Sequence, residues 1–151
     1  MIRLATKFDI PRLIEMLWDY HGSGHLPSIK ISEGKFMCDA TMKKILTRIL
    51  VGGGIALVSE KDGHLNGMLL ALLVPYLWDD SALVVSEIAY WVDAEQRGGS
   101  AGYRLLKEYT TRCNDMVEQK KIKTFTVSHM EGQQLNYARF GFKPVEHTWS
   151  M

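Results

Sequence analysis

The chain has 151 residues, of which 46% are hydrophobic, and its formal net charge at pH 7 is +1. This length and composition suffice for one compact domain with a full core, which we predict over residues 1–151. Because the charge is nearly balanced, the chain lacks the broad basic surface of nucleic-acid-binding proteins, and we expect no nucleic-acid partner.

Cysteine usage and the N-terminal segment bear on the location of the protein. Cys38 and Cys113 lie far apart and outside any Cys-x-x-Cys pattern, so we expect neither a disulfide framework nor a zinc site. The N-terminal segment carries charges where a signal peptide needs an apolar stretch, and no apolar run approaches membrane-spanning length. We therefore expect a soluble cytoplasmic protein with no membrane partner; a monomer and a homodimer both remain open.

The N-terminal region predicts a strand and a helix. Residues 2–5 read as a short strand, and the next helix runs to about Tyr20. Asp9 is its predicted N-cap, with Phe8 and Leu13 spaced as a hydrophobic staple.

A long loop and a second helix follow. Glycine and proline residues between Tyr20 and Met37 predict the loop, and Asp39 is placed to cap the helix. Gly52–Gly54 ends it. Apolar runs over 55–59 and 68–74 then predict two strands joined through Asp62-Gly63, with a turn longer than two residues.

The C-terminal half repeats the order of strand and helix. A strand is predicted from Ala82 to Val92, followed by a helix that turns Leu106, Tyr109 and Cys113 toward the core. The remaining predicted elements are a fifth strand over 122–127, a short helix over 133–140 and a final strand over 142–149.

A glycine-rich turn lies between that long strand and the helix. Its glycines let a ligand approach the backbone closely, and the start of the helix offers unpaired N–H donors. A phosphate or pyrophosphate suits such a turn. The turn lacks the Gly-Lys-Ser/Thr of a P-loop and the spacing of a dinucleotide-binding fingerprint. Its residues are Gln96, Arg97, Gly98, Gly99, Ser100, Ala101 and Gly102.

The sequence Gln96 to Ala101 matches the Gln/Arg-x-x-Gly-x-Gly/Ala motif and resembles the GNAT superfamily of acyl-CoA-dependent N-acetyltransferases. This resemblance implies that the backbone amides of residues 96–102 hold the pyrophosphate of acetyl-CoA. It also implies that the end of the preceding strand pairs with the pantetheine arm. The strand residues concerned are Tyr90, Trp91 and Val92.

A second match to the family lies near the C-terminus. Tyr137, Gly141 and Phe142 fit its Tyr-x-x-x-Gly-Phe pattern, which makes Tyr137 the candidate general acid for the CoA thiolate. The alternative is a core tyrosine whose hydroxyl reaches solvent. Many relatives carry an asparagine where Met130 stands here, so a pantetheine contact made from that position is in doubt.

Glu87 is the candidate general base. Simple alternation places it on one strand face with the apolar residues Leu83, Val85, Ala89 and Trp91, where burial raises the pKa of a carboxyl group. Ser86-Glu87-Ile88 also resembles the element that supplies the base in the histone-acetyltransferase branch. The alternatives are a structural ion pair, a partly hydrated strand face, or deprotonation of the amine through ordered water.

Several loop residues are candidates for holding a cationic amine, although each is also typical of a solvated loop. His21 and His25 have a metal-ligand spacing, but nearby glycines disfavour a helix, and we expect no metal. His129 is a further candidate beside the thioester. The loop candidates are Tyr20, His21, His25, Trp78, Asp79 and Asp80.

The order of elements is the one implied by the resemblance. We therefore expect an α/β (α+β) GNAT fold, with a mixed central sheet of about six to seven strands flanked by about four helices. The implied activity is direct transfer of an acetyl group from acetyl-CoA to a primary amine of a small molecule or protein. An acyl-enzyme through Cys38 or Cys113 is less favoured because neither lies beside a predicted base. A catalytically silent CoA-binding or structural protein on the same scaffold is the alternative.

Overall fold

The computed structural model describes residues 1–22, 38–128, 136–147 and 149. Strands β1 to β5 span Ile2–Leu4, Gly54–Lys61, His64–Tyr76, Asp79–Val92 and Thr124–Thr126. Helices α1 to α3 span Ile10–Gly22, Asp39–Arg48 and Ala101–Glu118. A π-helical turn over Ile49–Gly53 follows α2, and 3-10 turns span Lys7–Asp9, Ala94–Gln96 and Tyr137–Phe140.

The five strands form one mixed sheet in the order β1-β2-β3-β4-β5. The pairs from β1 to β4 are antiparallel, and β5 is parallel to β4. Helices cover both faces of the sheet, so successive residues of β2 and β3 are buried in turn on opposite sides. This explains why both strands appear in the sequence as unbroken apolar runs.

Two cores lie on the two faces of the sheet. The first packs α1 and α2 on the sheet; the second packs α3 on it. The first contains Leu13, Met16, Leu17, Tyr20, Met42, Leu46, Ile49, Ala56, Val58, Met68, Leu70 and Ala89. The second contains Ile55, Leu57, Leu69, Ala71, Val85, Leu105, Leu106, Tyr109, Cys113 and Ile122.

A β-bulge at Ile88 changes the faces of β4. Ala71 of β3 pairs with Glu87 and Leu70 pairs with Ala89, which leaves Ile88 without a cross-strand partner. Residues on the two sides of the bulge therefore alternate out of phase. The expectation that Ala89 and Trp91 share a face with Glu87 is wrong: Val85 lies in the α3 core, on the face of Glu87, whereas Ala89 lies in the other core. Glu87, opposite Ala71, shares the α3 face.

The predicted start of α1 also needs correction. Phe8 is 82% exposed, so it forms no staple over the buried Leu13. Asp9 ends a 3-10 turn, and its carboxylate accepts hydrogen bonds from the backbone N–H of Thr6 and from Arg3. The Arg3 ion pair requires this orientation, and it places Asp9 as the third residue of a capping box.

The cap of α2 differs from its prediction as well. Cys38, whose backbone is extended, occupies the N-cap, and Asp39 is the first helical residue. The Asp39 carboxylate accepts a hydrogen bond from Trp18 Nε1 at 2.7 Å, which ties α2 to α1.

The β2–β3 turn is tighter than predicted. Asp62 and Gly63 are its only two residues, and their φ angles of 53° and 78° are those of a type I′ turn. The strands therefore extend further toward the turn than their apolar runs indicate.

The numbers of strands and helices are also smaller than predicted. The described residues contain five strands and three α-helices. Residues 142–147 form no strand, because Pro144 lacks an N–H group and Val145 is 85% exposed rather than packed on a sheet. Of the predicted short helix over 133–140, residues 137–140 form a 3-10 turn and 133–135 lie outside the described residues.

Candidate active site

The site begins where β4 and β5 separate. The two strands pair only over Val84–Ser86 with Thr124–Thr126, and the next residue of β4 is Glu87. Among the described residues, no strand pairs with this edge of β4 from Glu87 to Val92. An open edge of backbone N–H and C=O groups can pair with an extended ligand.

Glu87 lies buried at this point of separation. Glu87 is only 5% exposed, and its Oε2 atom accepts a hydrogen bond from the backbone N–H of Ser128 at 2.8 Å. Burial raises the pKa of Glu87 to about 7, and the hydrogen bonding to Ser128 acts in the opposite direction. The alternative of a structural ion pair is not observed, because no salt bridge of Glu87 occurs among the described residues.

Ser128 connects the two predicted catalytic residues. Its N–H donates to Glu87, and its carbonyl oxygen accepts a hydrogen bond from the Tyr137 hydroxyl at 2.8 Å. Sequence reasoning placed Glu87 and Tyr137 in one site but missed Ser128. The only signal for it was its position directly after the predicted fifth strand, where the chain leaves β4.

The charge of Glu87 affects three other tyrosines besides Tyr137. Burial is the main cause that raises the pKa of each of the four phenols, and the charge of Glu87 raises it further. The pKa of Tyr90 reaches about 12. All four phenols are therefore protonated at neutral pH and can act as hydrogen-bond donors. They are Tyr20, Tyr90, Tyr109 and Tyr137.

The glycine-rich turn leads from the end of β4 into α3. Gly98 has a φ of +87°, which favours glycine, and Ser100 is the N-cap of the 18-residue helix. A Cβ at Gly102 would lie 2.8 Å from the Tyr90 hydroxyl oxygen. The sequence therefore allows the helix start to approach β4 closely, and its first N–H groups lack acceptors within the helix.

The Arg97 side chain folds back over the end of β4. Its Nε donates to the Val92 carbonyl oxygen at 2.9 Å, and its guanidinium lies 4.3 Å from the centre of the Trp91 ring. Three of the residues predicted to hold a cofactor therefore contact one another directly.

Comparison with solved structures shows what this arrangement resembles. A predicted acetyltransferase from Clostridium acetobutylicum, solved with acetyl-CoA, is 13% identical with a TM-score of 0.72, and the match covers 100% of this chain and 94% of that one. A transcriptional regulator from Bacillus halodurans is 16% identical with a TM-score of 0.71, and the match covers 100% of this chain and 97% of that one. A ribosomal-protein-alanine N-acetyltransferase from Brucella melitensis is 14% identical with a TM-score of 0.67, and the match covers 100% of this chain and 98% of that one.

The chain has the GNAT fold. The resemblance read from residues 96–101 and 137–142 is thereby confirmed for the fold. No protein-family model and no curated protein sequence matches the chain.

Within this GNAT fold, one candidate amine-binding region adjoins Glu87. Tyr20 is buried at the end of α1, and its ring meets Trp91 edge-on at 6.5 Å and His21 at 5.1 Å. The Nδ1 atom of His21 lies 2.8 Å from the Leu17 carbonyl oxygen, one turn back in α1. The three rings form an aromatic cluster, and the charge of Glu87, after burial, contributes to the raised pKa of Tyr20.

The other candidates are not brought to this region. Trp78 is 81% exposed in the β3–β4 turn, and Asp79 and Asp80 begin β4. Asp79 pairs with Tyr76 and Glu87 pairs with Ala71, so the two lie five residues apart along β3, roughly 17 Å. His25, His129 and Met130 lie outside the described residues.

The two cysteines differ in environment. Cys113 is buried in the α3 core, and burial raises the pKa of its thiol to about 12. Cys38 is exposed at the start of α2, where hydrogen bonds from Thr41 lower the pKa of its thiol. No cluster of three or more metal-ligating side chains occurs in the described part of the chain. No described helix has the length and apolar character needed to cross a bilayer.

Proposed function

We propose that the protein is an N-acetyltransferase that transfers an acetyl group from acetyl-CoA directly to a primary amine in a ternary complex. The observation that carries this proposal is the meeting of Glu87 and Tyr137 at the backbone of Ser128, where β4 and β5 separate. A base and an acid lie on one side of an open strand edge. The GNAT fold of the neighbours named acetyltransferases supports the same conclusion.

The glycine-rich turn fits the pyrophosphate of acetyl-CoA. A side chain at Gly102 would press on Tyr90, and a long helix begins at the turn with its positive end. Two cations, Lys107 and Arg139, line a cavity of about 240 Å³ between α3 and the Tyr137–Phe140 turn. They add positive charge on the same side as the helix start, which favours an anionic ligand.

Glu87 would accept a proton from the ammonium form of the substrate, directly or through a water molecule. A carboxyl group with a pKa of about 7 is partly ionised at neutral pH and binds a proton reversibly there. The hydrogen bond from Ser128 occupies Oε2, so Oε1 would be the oxygen that accepts the proton.

Acetyl-CoA supplies an activated acetyl thioester when bound. As the amine nitrogen bonds to the acetyl carbon, the carbon–sulfur bond breaks and the thiolate needs a proton. Tyr137 would donate it, the proton that the nitrogen loses on forming the amide would pass to solvent, and Tyr137 would recover a proton from solvent. Backbone N–H groups on the open edge near Trp91 and Val92 would polarise the thioester carbonyl. Raised by burial, the pKa of Tyr137 keeps its phenol protonated until that step.

Thiol release tests the proposal. The protein is incubated with acetyl-CoA and a panel of amines, and CoA binding is measured by calorimetry. We expect amine-dependent release of CoA. Binding without release with any amine of the panel would indicate the catalytically silent alternative.

Two variants sharpen this test. In Gly99→Val, the new Cβ meets only the Gln96 carbonyl oxygen, at 3.3 Å, so the protein should fold and bind CoA at least about tenfold more weakly. Gly22→Val is the control, because a Cβ there meets no other atom of the described residues within 4 Å beyond its own helix. In Glu87→Gln, the rise in rate with pH near 7 should disappear, and only the ionisation of the amine should remain. Parent-like binding by Gly99→Val would mean that the turn does not hold the cofactor.

A further inference from the structure

Trp91 contacts residues at both ends of the proposed site. Its ring lies under the guanidinium of Arg97, which belongs to the glycine-rich turn. The same ring meets the ring of Tyr20, which belongs to the candidate amine-binding region. A shift of this one indole would therefore displace a residue at the cofactor end and a residue at the amine end together.

Asp93 holds that indole in place. Its Oδ1 accepts a hydrogen bond from Trp91 Nε1 at 3.1 Å, and its Oδ2 accepts one from Arg12 Nη2 at 2.6 Å. Arg12 belongs to α1, the helix that also carries Tyr20. The carboxylate thus fixes the indole to the element that forms the amine end, and an indole bonded at Nε1 cannot turn about its side-chain bonds without losing a charge-assisted hydrogen bond.

The backbone of Asp93 adds to this arrangement. Its N–H donates to the Asn66 carbonyl oxygen at 3.0 Å, and its carbonyl oxygen accepts from the Gln96 N–H at 2.9 Å. The first bond fixes Asp93 to β3, and the second fixes the start of the glycine-rich turn to Asp93. One residue therefore connects α1, β3, the Trp91 ring and the turn.

We propose that Asp93 is a positioning residue that orients Trp91 and, through it, couples the CoA-binding turn to the amine-binding end of the site. This inference rests on the proposed function. It assigns Asp93 a role that requires no contact with either substrate. Its consequence is that loss of Asp93 impairs CoA affinity and the KM for the amine together.

A double-mutant cycle tests the coupling. Asp93→Ala should weaken CoA binding roughly tenfold or more, the scale of a lost hydrogen bond to a charged group, and should raise the KM for the amine. Trp91→Phe keeps an aromatic ring but removes the Nε1 donor. In that background, Asp93→Ala should change CoA affinity by less than about twofold, because the bond it removes is already absent. Asp93→Asn, which retains an acceptor for the indole, should lie between Asp93→Ala and the parent.

A matched control separates positioning from stability. Asp9→Asn removes another carboxylate that pairs with an arginine, Arg3, and no contact between Asp9 and Trp91 occurs among the described residues. It should lower the melting temperature without changing CoA affinity. If Asp93→Ala behaves like this control, or has the same effect on CoA affinity with Trp91 and with Phe at that position, the coupling role is refuted.

A measurement on the free protein keeps this inference distinct from the proposed function. The NMR signals of Arg97 Nε–H and of the Tyr20 ring report the position of the indole through its ring current. Both should shift in Asp93→Ala and stay unchanged in Asp9→Asn. If the parent binds no CoA, the proposed function fails, and these shifts alone decide whether Asp93 positions Trp91; unshifted signals in Asp93→Ala would overturn the inference.

Discussion

The two edges of β4 differ sharply in how they are paired. Toward β3, β4 is paired along its whole length, from Asp79 to Val92, with irregularities at Ile88 and between Asp79 and Leu83. Toward β5, it is paired only from Val84 to Ser86. The continuous edge belongs to the packed scaffold, whereas the interrupted edge leaves space for Glu87 and Ser128. A buried acid is tolerated at the second edge because its carboxylate replaces a missing strand as hydrogen-bond acceptor for the Ser128 N–H.

The largest effect is expected on the continuous side of the sheet. A Cβ at Gly54 would overlap the backbone carbonyl of Ala71 in the neighbouring strand, which cannot move without breaking the pairing. Gly54→Val should therefore destabilise the fold by roughly 3 kcal/mol or more. Urea unfolding measures the change. Gly22→Ala should be close to neutral, because a Cβ there meets no described atom within 4 Å beyond its own helix. Equal effects of the two changes would contradict the proposed packing.

On the open side, Glu87→Gln should change how stability depends on pH. The pKa of Glu87 is 4.5 in the unfolded chain and about 7 in the fold, so its favourable contribution is complete below pH 4.5 and is lost as the pH rises through 7. The loss corresponds to roughly 3 kcal/mol. Glutamine can still accept the Ser128 hydrogen bond but does not titrate.

The comparison of urea unfolding at pH 4.5 and pH 8 isolates this contribution, because all other groups titrate in both proteins. The parent should lose more stability than Glu87→Gln between the two pH values. Equal losses would show that Glu87 has an ordinary pKa and that the opening is hydrated.

Tyr137→Phe should affect turnover rather than binding. It removes the hydroxyl that donates to Ser128 but keeps the ring, which packs edge-on against Phe142 at 6.0 Å. Loss of a general acid should slow turnover by about 10²-fold while CoA affinity stays near that of the parent. Steady-state rates and calorimetry separate these quantities. Tyr76→Phe, a half-exposed tyrosine on β3, is the control, and a matching rate for the two variants would remove Tyr137 from the mechanism.

The smallest effect is expected in the β2–β3 turn, far from the opening. Gly63→Ala places a side chain at a φ of 78° where there is open space, so only backbone strain of about 1 kcal/mol is added. Gly63→Asn should cost less, because asparagine tolerates this conformation better. Thermal unfolding ranks the three proteins, and an effect of Gly63→Ala as large as that of Gly54→Val would contradict the two-residue turn.

Local sequence determined the features that were predicted well. The glycine-rich turn, the strand before it and α3 follow one another within the chain, so their pattern is visible without knowledge of the packing. The spacing of apolar residues in α2 and β4 gave these elements correctly to within a few residues.

Features that depend on distant partners were missed. The bulge at Ile88 is set by pairing with β3, and the role of Ser128 exists only because β4 and β5 diverge. Phe8 has the spacing of a staple, but the ion pair of Arg3 with Asp9 sets a different entry into α1. The final strand was predicted from the spacing of its apolar residues. That spacing did not take account of Pro144, which disfavours a strand.

The contrast between the two thiols makes the protein suited to site-selective labelling. Cys38 is exposed with a lowered pKa, so a maleimide dye should attach there without any mutation. Cys113 is enclosed beneath α3 and should react only when that helix leaves the sheet. The rate at which a second dye attaches would then measure how often the helix behind the glycine-rich turn opens.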